Sequence, residues 1–286
     1  MTKLRQRMIE DLRIRNYAPK TIDAYIRCTA QFAKHFDKSP DQLGIEHVRE
    51  YQIFLVDTKK ASWAIFNQTV CALRFFYKVT LKRTEIIEHI AFPKQEKKLP
   101  VILSTEEIAS LFSAVTNLKH RTALMTMYAT GLRLSEALGL SPTDIDSDRM
   151  VIRVRQGKGR KDRDVVLSPS LLTTLRNYAR IYRPTKWLFP GKHPDKPLSL
   201  TTIQRACAPA ARKAGIAKAI KTHSMRHCFA THMLEAGTDL RTIQLLLGHA
   251  SLRSTAVYLH VAINSLQSTK RTPDLLKLAA KGKTPS

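Results

Sequence analysis

Several short segments carry groups that could handle a phosphate. In His223-Ser224-Met225-Arg226-His227 a histidine and an arginine stand three residues apart, on one helical face. Arginine offers a planar fork for phosphate oxygens, and imidazole gives or takes a proton near neutral pH. His223 and His227, four apart, also suggest a metal pair. A zincin, however, has Glu after the first histidine, where this chain has Ser224, and Arg226 would put a fixed positive charge beside the cation. Thr130-Gly131-Leu132-Arg133 sets an arginine just after a glycine at a helix start, with Glu136 three residues on to hold it. Alone, that is an ordinary helical ion pair worth about 0.2–0.5 kcal/mol. Gly157-Lys158-Gly159 lacks the G-x-x-x-x-G-K-[ST] of a P-loop, and strands flank it rather than a helix. Leu247-Gly248-His249 presents a histidine at a helix stop. Tyr258 follows nine residues later in an apolar run, where a lone tyrosine is usually core.

These groups need elements to position them. Residues 1–91 read as helices. Arg5 to Arg15 carries Leu4, Met8, Ile9 and Leu12 along one side. Lys20 to Phe36 has Ile22, Tyr25, Ile26, Phe32, Ala33 and Phe36 at helical spacing. Amphipathic stretches from Ile45 to Val56 and from Ser62 to Val79 complete a four-helix bundle. Residues 92–100, with two prolines around a charged interior, read as an extended linker. Ser104-Thr105-Glu106-Glu107 is a capping box, so a second domain covers 101–286. Its helices are expected at about 104–116, 119–129, 134–140, 169–182, 201–214, 224–236 and 239–247, with Gly215, Gly237 and Gly248 as stops. Residues 150–155 and 164–167 read as strands of a hairpin that turns at 156–161. Ser251 caps a last short helix containing Tyr258, and Leu275, Leu276 and Leu278 give the tail a small apolar handle. The fold class is mainly α with a small β-sheet: an N-terminal helical bundle, then a mixed α/β domain.

The chain has 286 residues, with 48 Lys plus Arg against 23 Asp plus Glu, a net charge of +25. Its 43% hydrophobic content excludes a wholly disordered basic tail. The charge points to a polyanionic partner, most often nucleic acid. Cys28, Cys71, Cys207 and Cys228 form no C-x-x-C pair. That argues against a disulfide framework or cysteine zinc site and suits buried thiols in a reducing cytosol. No run approaches the roughly 20 apolar residues of a membrane span, and the basic start lacks the apolar stretch of a secretory signal.

In this order the segments are specific. Ala129-Thr-Gly-Leu-Arg133-Leu-Ser-Glu136, Gly157-Lys158-Gly159, His223-Ser-Met-Arg226-His227, Leu246-Leu-Gly-His249 and Tyr258-Leu-His-Val261 make the chain resemble the tyrosine recombinase (phage-type integrase) family over nearly its whole length. The family's catalytic Arg, Lys, His, Arg, His and Tyr fall on Arg133, Lys158, His223, Arg226, His249 and Tyr258, with Glu136 in support. Ser224-Met225 stands where a Leu before Arg226 is expected. The short stretch between Tyr182 and Arg212 leaves little room for the extra helix of integron integrases, which favours an Xer-like or mobile-element enzyme. The resemblance implies a core-DNA-binding domain at 1–91, a catalytic domain at 101–286 and a clamp around duplex DNA. It implies a homotetramer on two specific sites of double-stranded DNA, with room for a partner recombinase or accessory proteins. It further implies a cytoplasmic, nucleoid-associated location and no cofactor, metal or membrane.

The residue types suit that chemistry. A free phenol has a pKa of about 10, so deprotonation at pH 7 costs about 4 kcal/mol. Two arginines would clamp the non-bridging oxygens as charge builds and make a phenolate cheaper. Lys158 suits the general acid for the departing 5′-oxygen, His223 a proton carrier and His249 a hydrogen-bond donor to phosphate. By resemblance Tyr258 becomes a 3′-phosphotyrosine that a 5′-hydroxyl later attacks, so no ATP is needed. A non-catalytic DNA-binding accessory protein and a type IB topoisomerase-like relaxing enzyme are the competing readings.

Overall fold

Thr2 accepts the Arg5 N–H on its hydroxyl and starts α1 (Lys3–Ile14). Pro19, with φ already fixed for a helix, starts α2 (Pro19–Phe36). α3 (Ile45–Ile53) and α4 (Trp63–Phe75) follow, and α2 packs against α4. Both α3 and α4 widen at their C-terminal ends into π-turns, Phe54–Thr58 and Phe76–Thr80, closed by Lys59 N–H to Phe54 O and Leu81 N–H to Phe76 O. The periodic stretches to Val56 and Val79 are therefore helical throughout but not α-helical throughout. Leu12, Phe32, Leu43, Val48, Leu73 and Phe76 fill the bundle core. The chain divides into two compact units, residues 1–97 and 98–286, and the computed structural model describes residues 2–94, 99–155, 162–249, 251–259 and 262.

The expected linker at 92–100 is fastened to the first unit where it begins. Gln52 donates to Ala91 O (3.0 Å), Trp63 Nε1 donates to Pro93 O (3.3 Å), and the Arg74 guanidinium stacks 4.8 Å from the Phe92 ring. Its middle, residues 95–98, lies outside the described residues.

In the second unit Ser104 and Glu107 exchange the expected capping hydrogen bonds and open α5 (Thr105–Ala114). α6 (Leu118–Thr130) and α10 (Ser224–Glu235) lack a polar stripe because both are central and pack on each other. Around them lie α7 (Leu134–Leu138), α8 (Pro169–Tyr182), α9 (Leu200–Lys213) and α11 (Leu240–Leu247). Met225, in place of the expected Leu, is fully buried. The sheet is antiparallel in the order β1 (Ile145–Asp146), β2 (Val151–Val154), β3 (Arg163–Val166), with Ile152 opposite both Ile145 and Val165. β1, two residues long, has no alternation to betray it. The hairpin turn at 156–161, including Lys158, and the leucines of the tail lie outside the described residues.

The helix expected after Ser251 does not run unbroken from that cap. A 3₁₀ turn spans Leu252–Ser254, and helical residues start again at 257 and include Tyr258. They meet at the fully buried Thr255, whose hydroxyl is turned inward onto His249. Among the described residues no helix is long and apolar enough to cross a membrane.

Candidate active site

Arg226, in the first turn of α10, is 1% exposed. Its Nη1 donates to Gly131 O and its Nη2 to Leu247 O, both at 2.7 Å. Gly131 is the left-handed cap of α6, and Leu247 closes α11 just before the left-handed Gly248. A buried cation is costly unless paired. Here two helix C-termini, each with its partial negative charge, receive it. Burial lowers the Arg226 pKa to about 10, with Arg133 adding to the effect, so it remains a cation at neutral pH. Gly131 is required twice over. Its φ is +67°, and a Cβ there would stand 2.5 Å from Phe229 Cδ1 and 2.9 Å from Leu247 Cδ2.

Arg133 leads into α7, and Glu136 in the first turn of that helix holds it. Arg133 Nη1 donates to Glu136 Oε1 (2.7 Å) and its backbone N–H to Oε2 (2.9 Å). The same carboxylate takes a second arginine: Arg163 Nη2 donates to Oε2 at 2.8 Å and Nη1 to Oε1 at 3.3 Å. Burial alone would raise the Glu136 carboxyl, but the Arg163 and Arg133 hydrogen bonds and charges overcome it and hold the group at about 2. Two guanidinium groups thus bond one carboxylate and a third, Arg226, lies within reach of its charge, which leaves the cluster with a positive excess.

Tyr258 is 2% exposed, and its Oη lies 3.0 Å from His227 Nδ1. With the ring proton on Nε2 the phenol donates this bond. The His227 ring meets His223 edge to face at 4.6 Å between centroids. Burial, then the neighbouring His223 and Arg226, drop His227 to about 4, so it is neutral at physiological pH. His223, just before α10 and more open to solvent, shifts down for the same kinds of reason: the protein around its ring first, then Arg226 and Arg133. The Tyr258 phenol shifts up. Arg226 and Arg133 pull it down, as expected of them, but burial outweighs both. His249 is fixed by Thr255 Oγ1 at Nδ1 (2.9 Å) and by Gln244 Nε2, which donates to its carbonyl (3.0 Å).

Arg133, His223, Arg226 and Tyr258 are therefore joined through short contacts and mutual charge, and Arg226 reaches the end of α11 just ahead of His249. Lys158 lies outside the described residues. Sequence reasoning overlooked Arg163, Thr255 and Gln244, and weighed His227 only as a metal partner of His223. A further tie holds the start of the unit to α10. Leu103 N–H donates to Cys228 Sγ (3.2 Å), and His232 Nε2 donates to Leu103 O (2.9 Å). His232 Nδ1 lies 2.9 Å from the Tyr128 hydroxyl, which ties the same ring to α6.

The Phage integrase family pattern matches residues 102–265, and the phage integrase N-terminal SAM-like domain matches residues 4–87. The chain belongs to the phage integrase family. This integrase is 50% identical over 277 residues to y4qK of Sinorhizobium fredii, whose name places it among integrase/recombinases; the match covers 96% of this chain and 90% of the relative. It is 36% identical over 231 residues to tyrosine recombinase XerA of Pyrococcus furiosus, covering 78% and 80%. The crystal structure of a XerA recombinase superposes with a TM-score of 0.54 at 29% identity, covering 94% of the integrase and 98% of that chain. The XerH recombinase bound to its palindromic difH substrate shares the fold, with a TM-score of 0.73 at 23% identity over 89% of this chain and 80% of that one.

Proposed function

We propose that the integrase cuts and rejoins DNA strands at specific sites through a covalent 3′-phosphotyrosine on Tyr258. The observation that carries this reading is the double tie of Arg226, which draws the Arg133 segment and the approach to His249 onto the helix whose next residue, His227, touches the Tyr258 hydroxyl.

In the step proposed, Tyr258 Oη attacks phosphorus, the bond to the 5′-oxygen breaks, and Lys158 protonates the leaving oxygen. Arg133 and Arg226 offset the charge that grows on the non-bridging oxygens. The positive excess of the arginine cluster suits a phosphodiester that becomes more negative on the way to the transition state. The phenol must first leave His227, because that imidazole is too weakly basic to take its proton. His223, on the open side of the histidine pair, is the better placed proton carrier. His249 donates to a phosphate oxygen. Attack by a 5′-hydroxyl reverses these events and returns the phenol. The substrate is double-stranded DNA, the assembly a homotetramer on two sites, and affinity falls steeply with salt because most contacts are to phosphate.

The test uses a duplex carrying the sequence that the chain itself selects from a randomised pool. Wild type should yield a denaturant-resistant protein–DNA adduct and Tyr258→Phe none. An equal adduct from both would overturn the assignment of Tyr258. Binding without any adduct would favour an accessory protein, and relaxation of supercoils without a preferred sequence a topoisomerase.

A further inference from the structure

We propose that Arg163 is a positioning residue for strand cleavage, a single guanidinium that locks the β2–β3 hairpin to the Arg133 segment and to the approach to His249. The inference rests on the phosphotyrosine reading above and adds a residue to it. Arg163 opens β3, five residues after Lys158. Its side chain is 13% exposed and reaches three ways. Nη2 and Nη1 grip both oxygens of Glu136, at 2.8 and 3.3 Å, and Nε donates to Leu246 O at 3.2 Å. Its stem packs so closely under Gly248 that a Cβ there would stand 3.1 Å from the Arg163 Cδ, Nε and Cζ. Glu136 in turn holds Arg133 by side chain and by backbone.

The arrangement is a poor way to gain stability. Two cations share one buried carboxylate, and desolvating such groups consumes most of what their attraction returns. It is a good way to fix geometry. A planar fork with donors on three nitrogens sets direction as well as distance, which an ammonium on a flexible stem does not. The last two carbonyls of α11 are both taken by arginines, Leu246 by Arg163 and Leu247 by Arg226. The loop that presents His249 is thus fixed from the hairpin side and from the α10 side at once.

Arg163→Gln and Arg163→Lys are compared with wild type and Tyr258→Phe on the selected duplex, after thermal unfolding has shown which variants fold. DNA affinity, the single-turnover rate of adduct formation and the pH dependence of that rate are measured. Arg163→Gln should bind DNA within about threefold of wild type and form the adduct about tenfold to a hundredfold more slowly, the scale of a small misplacement of reacting groups. Arg163→Lys should fall between the two. The acid limb of the rate profile should move to higher pH in Arg163→Gln, because Glu136 without Arg163 takes a proton sooner and releases Arg133. A merely structural role would lower the rate by one factor at every pH. That result, or a wild-type rate in Arg163→Gln, overturns the inference. Should Arg163→Gln fail to fold, a wild-type rate and profile in Arg163→Lys overturns it. If wild type itself forms no adduct, the phosphotyrosine reading fails and this inference falls with it; an adduct in wild type that the substitutions leave untouched sinks this inference alone.

Discussion

Tyr258 Oη and His227 Nδ1 lie 3.0 Å apart, so the proposed nucleophile rests on an imidazole that stays neutral until about pH 4. The bond favours the un-ionised phenol, and so does the burial around it. Both effects hold the Tyr258 phenol in its un-ionised form.

Stability should fall as the solution is acidified through the histidine range. Unfolded His227 takes a proton near its ordinary 6.5, whereas the folded residue takes one only near 4. Between these values the unfolded chain binds more protons, so stability declines as pH drops across that window. His223 acts in the same direction. Melting temperature against pH should slope less from 6.5 to 4 in His227→Gln than in wild type. Glu136 contributes a separate, lower window: its stabilisation is whole above its ordinary 4.5 and is lost as pH falls toward 2.

Arg226→Lys keeps the charge but cannot span Gly131 O and Leu247 O. One buried carbonyl is then left without its donor, at a cost of about 1–3 kcal/mol. Adduct formation should slow by at least about 10². Arg133→Ala should lose a comparable factor. Urea unfolding and single-turnover cleavage check the two parts separately.

Gly131→Ala should be much more damaging than Gly215→Ala. Both glycines have positive φ, but only Gly131 has side-chain atoms within 3 Å of the missing Cβ. Gly215→Ala should cost about 1 kcal/mol for the left-handed backbone. Gly131→Ala adds overpacking against Phe229 and Leu247, for a total of about 2–5 kcal/mol. Urea midpoints of the two variants give the comparison.

Tyr258→Phe removes the adduct and leaves the fold nearly intact. The lost hydroxyl gives up one hydrogen bond, about 0.5–1.5 kcal/mol. A melting point that falls far beyond this would mean that Tyr258 serves the core more than the chemistry.

What the sequence exposes and what it hides divide along chain distance. The Ser104–Glu107 box is local, so residue types at a fixed spacing announce it. Gly248, expected as a stop, marks a helix end because the left-handed conformation at that cap selects glycine. The ties that assemble the site run far along the chain and from side chain to backbone. Arg226 to Leu247 O and Arg163 to Leu246 O leave no periodic trace, since any residue supplies a carbonyl. His227 shows the same limit. Its spacing points to His223, yet the group that bonds it is Tyr258, 31 positions on. The last helix is misjudged because its apolar pattern cannot reveal that Thr255 turns its hydroxyl onto His249.

Leu103 stands where the chain enters the second unit, and both of its backbone polar groups are gripped by α10, through Cys228 and His232. A pull applied at that entrance is therefore borne by the helix that bears Arg226 rather than absorbed by slack. The entering segment at Leu103 and the set of the Arg226 helix share one strut.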